Sequence, residues 1–518
     1  MKVHLMHPDR DFDAKPPSSK TPIPCAQDLG LDVLLNAAAA GDHYLHDIMA
    51  EACAHAWGND IATVLYRQAV LQDCLANPAV VRQFYAIATE PFSRDHSWSF
   101  SLYGRDAASR VSSGVHTLQS SLDVLGRLRD TCIHHANRFT SSGFRRFFAT
   151  LEQNLDDAYL AAARIDLDNL TFHNGLLLSA RVGDGGKAIG TMLRKPQPRD
   201  LSWMRRILTP GEPSFTYQLH PRDDAGARAF GELQDRGLSL ISDAIYQSAE
   251  HVLDFIKALR AELAFYLGCL NLGERFEQIG EAVAFPEPRE SQGHFRCKNL
   301  RDACLALTMG RPVVGNDVDA EGKQLIIITG ANRGGKSTFL RSVGLAQLMM
   351  QCGSFVTADA LAISLHSGLF THYKREEDRD MRSGKFDEEL VRTNAIADDI
   401  HRSAMVLFNE SFAATHEREG SEIARQIVTA LLENNVTIFF VSHMYEFARS
   451  FLDDERALFL RADRGEDGVR TFRLITAKPL PQSFGADLYE RIFGNVSGEA
   501  TRRSRRLDRA GVERAKTR

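Results

Sequence analysis

The chain has 518 residues, 44% of them hydrophobic and 25% charged, with a formal net charge of −5 at pH 7. That length implies two or more domains, because single cores rarely grow past about 250–300 residues, and the composition is that of an ordinary soluble globular protein. The net charge excludes a whole-molecule attraction to nucleic acid, so any such contact must come from a local basic surface.

Eight scattered cysteines with no C-x-x-C pair argue against a zinc site and for reduced thiols. No run of roughly 18 apolar residues marks a membrane span, and MKVHLMHPDRDFD lacks the apolar core of a secretory signal. A cytoplasmic protein with no membrane partner is expected.

Residues 1–27 carry the Pro/Ser-rich stretch PPSSKTPIP and read as a poorly ordered leader or linker. From about Asp28 the pattern is helical. LDVLLNAAAA, YLHDIMAEACAHAW and IATVLYRQAVLQDCLANPAVVRQFYAI repeat apolar residues at three- and four-residue spacing, with a break at Asn77-Pro78. Val111, Val115, Leu118, Leu122, Leu125 and Cys132 place a further apolar stripe on one helix face.

Between about 168 and 220 the period changes. GLLLSARV and KAIGTMLRK flank GDGG, which predicts a small β-rich insertion with one hairpin. Lys187, Arg194, Lys195, Arg199, Arg205 and Arg206 make this stretch basic, either as a solvated loop face or as a phosphate-backbone contact.

Ile245, Ala249, Val252, Ile256, Leu259, Leu263, Tyr266 and Leu270 then step by four and three residues, the heptad period of a bundle helix or a coiled-coil arm. FPEPRE marks a boundary near 287, and an α/β pattern runs to about Asn495. The tail 497–518 is strongly basic and reads as a solvated tail or a nucleic-acid arm. The domains expected are thus a leader (1–27), a helical core and lever (28–287), an α/β domain (288–496) and the tail.

The strongest chemical signal is Gly330-Ala331-Asn332-Arg333-Gly334-Gly335-Lys336-Ser337-Thr338, which fits G-x-x-x-x-G-K-[ST]. The apolar run QLIIIT precedes it and STFLRSVGLAQLMM follows, as strand and helix should. Glycines let successive backbone N–H groups curl around phosphates at a helix N-terminus. Lys336 would reach the β- and γ-phosphates and Ser337 would ligate Mg²⁺. Two further apolar runs end in polar residues: MVLFNES with Asn409-Glu410, and VTIFFVSH with Ser442-His443, as buried parallel strands do where they meet a ligand.

Residues from about 300 to 495 resemble the ATPase domain of the MutS family, a relative of ABC-type ATPases. Thr329 to Thr338 matches the family's P-loop. Asn409-Glu410-Ser411-Phe412-Ala413-Ala414-Thr415 with Gly420 matches its Asp-Glu strand end, and Ser442-His443 its Thr-His. Arg382 to Glu388 matches its signature loop, and Ser483-Phe484-Gly485 its Ser-Tyr-Gly. Upstream, YRQAVLQDCLANP is similar to the start of the family's helical core. The resemblance implies an α plus α/β fold: a helical core and lever with a small β-rich insertion, then a P-loop ATPase domain with a mainly parallel sheet. The chain enters the helical core without a stretch resembling the family's mismatch-binding and connector domains.

It also implies a homodimeric ATP- and Mg²⁺-dependent switch acting on duplex or branched DNA in repair or recombination, without dedicated mismatch recognition. Ser383 would cap the γ-phosphate of the opposite subunit, Glu410 would polarise water, and His443 would sense the γ-phosphate. Asn409 would hold Mg²⁺ weakly or through water, since it lacks the charge of the usual Asp. The rival readings are a clamp of the same fold acting on a protein partner, and a nuclease with an ATPase engine. The second needs a metal-binding cluster, for which Asp11, Asp13 and His134-His135 are isolated candidates.

Overall fold

The computed structural model describes residues 1–14, 23–92, 106–172, 175–194, 216–374, 384–464 and 470–481. Ser383 with Arg382, the Ser483-Phe484-Gly485 motif, the basic residues Lys195, Arg199, Arg205 and Arg206, most of PPSSKTPIP and the 497–518 tail lie outside them. The chain divides into two compact units. One comprises Met1–Ala14 and Gln72–Leu267, the other Lys15–Leu71 and Gly268–Arg518.

The first unit is helical. Helices Pro78–Thr89, Ala107–His135, Ser142–Asn154 and Asp157–Asn169 bury Phe84, Phe144, Phe147 and Phe148 with Phe139, their rings 4.4–6.3 Å apart. Pro78 stands at the first helical position, where its missing N–H has no partner to lose. The expected hairpin is present: β1 (Leu178–Val182) pairs antiparallel with β2 (Ala188–Leu193).

The heptad stretch belongs to a helix of 56 residues, Asp224–Ile279, about 80 Å long at 1.5 Å per residue. Its first two turns are largely exposed, whereas residues 261–270 are buried on every side. The same helix therefore supplies an exposed rod and a core segment.

Residues 1–14 differ from the leader expected there. Val3, Leu5 and Met6 are fully buried. The carboxylate of Glu262, itself fully buried, accepts hydrogen bonds from the N–H groups of Leu5 (2.5 Å), Met6 (3.0 Å) and Phe12 (2.7 Å). Tyr266 donates its hydroxyl to Leu5 O at 2.6 Å. A short irregular segment exposes backbone N–H groups that must find acceptors if buried, and this glutamate serves three of them.

The second unit is built on a six-stranded sheet of order β12-β11-β6-β10-β9-β8. The strands are β6 (Leu325–Thr329), β8 (Leu369–Tyr373), β9 (Met405–Asn409), β10 (Thr437–Val441), β11 (Ala457–Arg464) and β12 (Arg470–Thr476). Neighbours from β11 through β8 are parallel, and β12 closes the edge antiparallel.

Leu325, Ile327, Val406, Phe408, Ile438 and Phe440 point to one face, into a core shared with Ala424, Val428 and Leu432 of helix Glu417–Glu433. Helix Lys336–Gln351 lies against β9 and β10. With helices packed on the sheet, these strands read as uninterrupted apolar runs rather than alternating ones.

A second sheet has order β3-β7-β4-β5, from β3 (Glu287–Arg289), β4 (Phe295–Leu300), β5 (Asn316–Asp319) and β7 (Ala360–Ser364). All eight cysteines are buried free thiols. No helix among the described residues is long and apolar enough to cross a membrane.

Candidate functional site

Parallel register brings three strand ends to one edge of the sheet. Val441 of β10 pairs with Ile328 of β6 and with Asn409 of β9. The segments leaving these carboxyl ends are the P-loop, the Asn409-Glu410 turn and the Ser442-His443 turn. This is the edge at which open parallel sheets hold ligands.

The P-loop glycines have a steric reason beyond phosphate approach. A Cβ on Gly330 would lie 2.9 Å from the Ala462 nitrogen, one on Gly334 2.7 Å from the Ala462 Cβ, and one on Gly335 3.0 Å from the Phe472 carbonyl oxygen. The β11–β12 hairpin presses directly on the loop. Gly330 (φ 110°) and Gly335 (φ 93°) also take backbone conformations that a side chain resists. Arg333 reaches φ 59° despite its side chain, and both it and Asn332 are exposed. Ala331 and Thr338 are half-buried.

Lys336 opens the helix that follows and is buried. Its ammonium donates to the carbonyl oxygens of Gly330 and Ala331, both at 3.0 Å. Burial pulls its pKa from 10.5 down to about 8, against the opposing pull of the Glu410 carboxylate, while Arg470 adds to the lowering. Ser337 donates its hydroxyl to Oδ1 of Asn409 at 2.9 Å. These two oxygens, from the P-loop helix and from β9, form a hard-donor pair of the kind Mg²⁺ takes alongside phosphate oxygens and waters.

Glu410 follows with φ 56°, outside the usual range for a side-chain-bearing residue. Its Oε1 lies 2.9 Å from His443 Nε2. That hydrogen bond holds its carboxyl below the ordinary 4.5, with help from Lys336 and Lys374 and against the effect of burial. Ser442, in contrast, turns inward: it is buried and its Oγ accepts from the Met444 N–H at 3.0 Å.

Gly420 now has a physical role as well. A Cβ there would lie 2.3 Å from the Phe412 carbonyl oxygen, so this glycine admits the Glu410–Phe412 turn against the helix. Gly384 caps helix Lys385–Asp399. Among the described residues no group of three or more His, Cys, Asp or Glu is arranged to hold a metal.

Two family models match. The MutS2 N-terminal domain covers residues 59–279 and MutS domain V covers 326–495. The chain belongs to the MutS family. The domain V match spans the P-loop, Asn409-Glu410 and His443.

The chain is 29% identical over 225 residues to the DNA mismatch repair protein MutS of Chloroflexus aurantiacus, covering 42% of this chain and 23% of that protein. It is 28% identical over 194 residues to the DNA mismatch repair protein MutS of Thermus thermophilus, covering 38% and 24%. It is also 30% identical over 136 residues to mouse MutS protein homolog 4, covering 26% and 14%. Two buried residues of this MutS-family chain, His372 and Glu389, pack behind the strand ends without any sequence signal to mark them. Neither sits in a motif, and only the placement of β8 beside β9 brings His372 to the site.

Proposed function

We propose that this chain binds and hydrolyses ATP with Mg²⁺ as a dimeric cytoplasmic switch that handles duplex or branched DNA, without dedicated mismatch recognition. The observation that carries this reading is the convergence, at one sheet edge, of a buried lysine, a Ser–Asn oxygen pair and a Glu–His pair.

Lys336 and the loop N–H groups hold the phosphates, Ser337 would hold Mg²⁺ with Asn409 contributing weakly or through water, and Ser383 of a second copy completes the site. Held by these residues, Mg²⁺ would supply positive charge that offsets the negative charge building up as the terminal phosphoryl group departs. The Glu410 carboxylate, kept ionised by His443, orients a water for in-line attack on the γ-phosphorus. The new P–O bond forms as the bond to the β-phosphate oxygen breaks, giving ADP and inorganic phosphate, and the protons of the water leave with that phosphate.

The test is the ATPase rate of the parental protein and of Lys336→Ala, with and without homoduplex, mismatched, branched and single-stranded DNA over a salt series. Hydrolysis lost in Lys336→Ala and DNA affinity falling steeply with salt support the reading. Hydrolysis with no DNA binding would shift it to a clamp on a protein partner. Parental-rate hydrolysis in Lys336→Ala overturns the site.

A further inference from the structure

Behind the Glu410 turn lies a group of buried polar contacts that nucleotide binding does not explain. His372, in β8, is fully buried. Its Nδ1 lies 2.6 Å from Ser411 Oγ and its Nε2 lies 3.1 Å from the backbone oxygen of Glu389. Ser411 Oγ also lies 2.8 Å from the His372 carbonyl oxygen. The Glu389 side chain, buried as well, accepts the Phe412 N–H at 2.9 Å. The His372 ring stacks on Phe412 with centroids 5.6 Å apart and an 11° interplanar angle.

Two of these partners, Ser411 and Phe412, lie in a strained turn. Glu410 and Phe412 both hold positive φ, 56° and 63°, which residues with side chains keep only where their surroundings over-determine the backbone. Here the determinants are Glu389 on the Phe412 amide and His372 on Ser411. Burial raises the pKa of Glu389, and the Phe412 N–H, Lys374 and Arg392 counter it. Burying a carboxylate costs free energy unless hydrogen bonds and opposite charges offset it.

Glu389 also stands early in helix Lys385–Asp399, whose N-cap is Gly384, about 7 Å along the axis from that cap at 1.5 Å per residue. One residue thus touches the catalytic turn by its side chain and His372 by its backbone, while riding on the helix that the signature loop begins.

We propose that Glu389 and His372 are positioning residues that tie helix Lys385–Asp399 to the 410–412 turn, so that the placement of this helix sets the aim of Glu410 and hence the rate of hydrolysis. The proposal rests on the reading of Glu410 as the water-orienting carboxylate. It requires that the helix and the turn move as one piece. A shift of the helix by a fraction of an ångström is then passed to the turn directly by the 2.9 Å contact and through His372 by the 3.1 Å and 2.6 Å contacts.

The experiment compares Glu389→Ala, Glu389→Gln and Ser411→Ala with the parental protein. It measures mant-ATP binding, steady-state ATP hydrolysis and amide hydrogen exchange in the 405–415 peptide. Glu389→Ala is expected to bind mant-ATP within about twofold of parental, to lose roughly tenfold or more in kcat, and to exchange faster at that peptide. Glu389→Gln, whose amide oxygen still accepts the Phe412 N–H, is expected to recover most of the rate.

Parental kcat in Glu389→Ala overturns the proposal, as does loss of binding in step with hydrolysis, or equal loss in the Gln variant. If Glu389→Ala does not fold, Ser411→Ala carries the test, since it deletes only the hydroxyl facing His372; parental kcat there overturns the proposal as well. A parental protein that binds mant-ATP without hydrolysing it is a separate failure, which removes the reading of Glu410 and the proposal with it.

Discussion

Ser337 donates its hydroxyl to Oδ1 of Asn409 across 2.9 Å, joining the first turn of the P-loop helix to the carboxyl end of β9. The contact sets the Asn409 amide oxygen beside the P-loop serine, and an amide oxygen, unlike a carboxylate of similar shape, brings no charge to a Mg²⁺ held there. Asn409→Asp is therefore expected to lower the Mg²⁺ concentration for half-maximal ATPase by roughly tenfold, about 1.4 kcal/mol. A Mg²⁺ titration of initial rates checks this. An unchanged midpoint means that Ser337, phosphates and waters already satisfy the ion.

Lys336 makes nucleotide affinity and stability respond to pH in opposite directions. Its pKa is drawn by burial from 10.5 to about 8. Between those values the unfolded chain binds more protons than the folded one, so stability rises with pH. The cost of the buried charge is present in full below about 8 and relieved as pH climbs toward 10.5.

Phosphate binding needs the ammonium form. Mant-ATP affinity should thus fall by roughly tenfold or more between about pH 7 and about pH 9.5, while the nucleotide-free melting temperature gains over that of Lys336→Met. Parallel pH curves for the two proteins in both assays would remove Lys336 from this role.

Much of this site was legible because buried parallel strands announce themselves. QLIIIT, MVLFNES and VTIFFVSH are unbroken apolar runs, and each ends in the residues that reach the edge. The helical core was legible from periodicity, and Asn77-Pro78 does break two helices.

What stayed hidden depends on pairings distant in sequence. Glu262 reads as one charge in an apolar helix, and its partners Leu5 and Phe12 stand about 250 residues away. His372 lies in the unremarkable run LFTHYK, and its importance follows from β8 lying next to β9. Gly334 and Gly335 fit a phosphate motif, but the hairpin crowding them has no sequence signature.

A dimer with shared sites gives a quantitative expectation. Ser383 belongs to the signature loop just before Gly384, and in the proposed arrangement it serves the opposite subunit. Lys336→Ala and Ser383→Arg would each be inactive alone. After subunit exchange at equal amounts, half the dimers are mixed, and each mixed dimer regains one of two sites in a two-fold assembly. Steady-state activity should return to roughly a quarter of parental. No recovery, with exchange verified by differently tagged chains, counts against the trans arrangement.

The Glu410–His443 pair allows the hydrolytic step to be separated from binding. Glu410→Gln keeps the shape of the side chain and a partner for His443 Nε2 at 2.9 Å but removes the negative charge. Binding of mant-ATP should be unchanged or tighter, since a carboxylate close to the phosphates repels them, while kcat falls by about 10²–10⁴.

The pH profile adds an independent check. His443 is the largest cause of the lowered Glu410 pKa, so the acid limb of the parental rate profile should lie below the ordinary glutamate value of 4.5. The carboxylate is the working form, and activity is lost as pH falls through that depressed pKa. His443→Ala removes the main cause and leaves burial, which raises the value, ahead of Lys336 and Lys374, which lower it, so its acid limb should move upward. Normal turnover in Glu410→Gln would show that another group orients the water. An unmoved acid limb in His443→Ala, with a reduced rate, would instead place His443 on the phosphate rather than on Glu410.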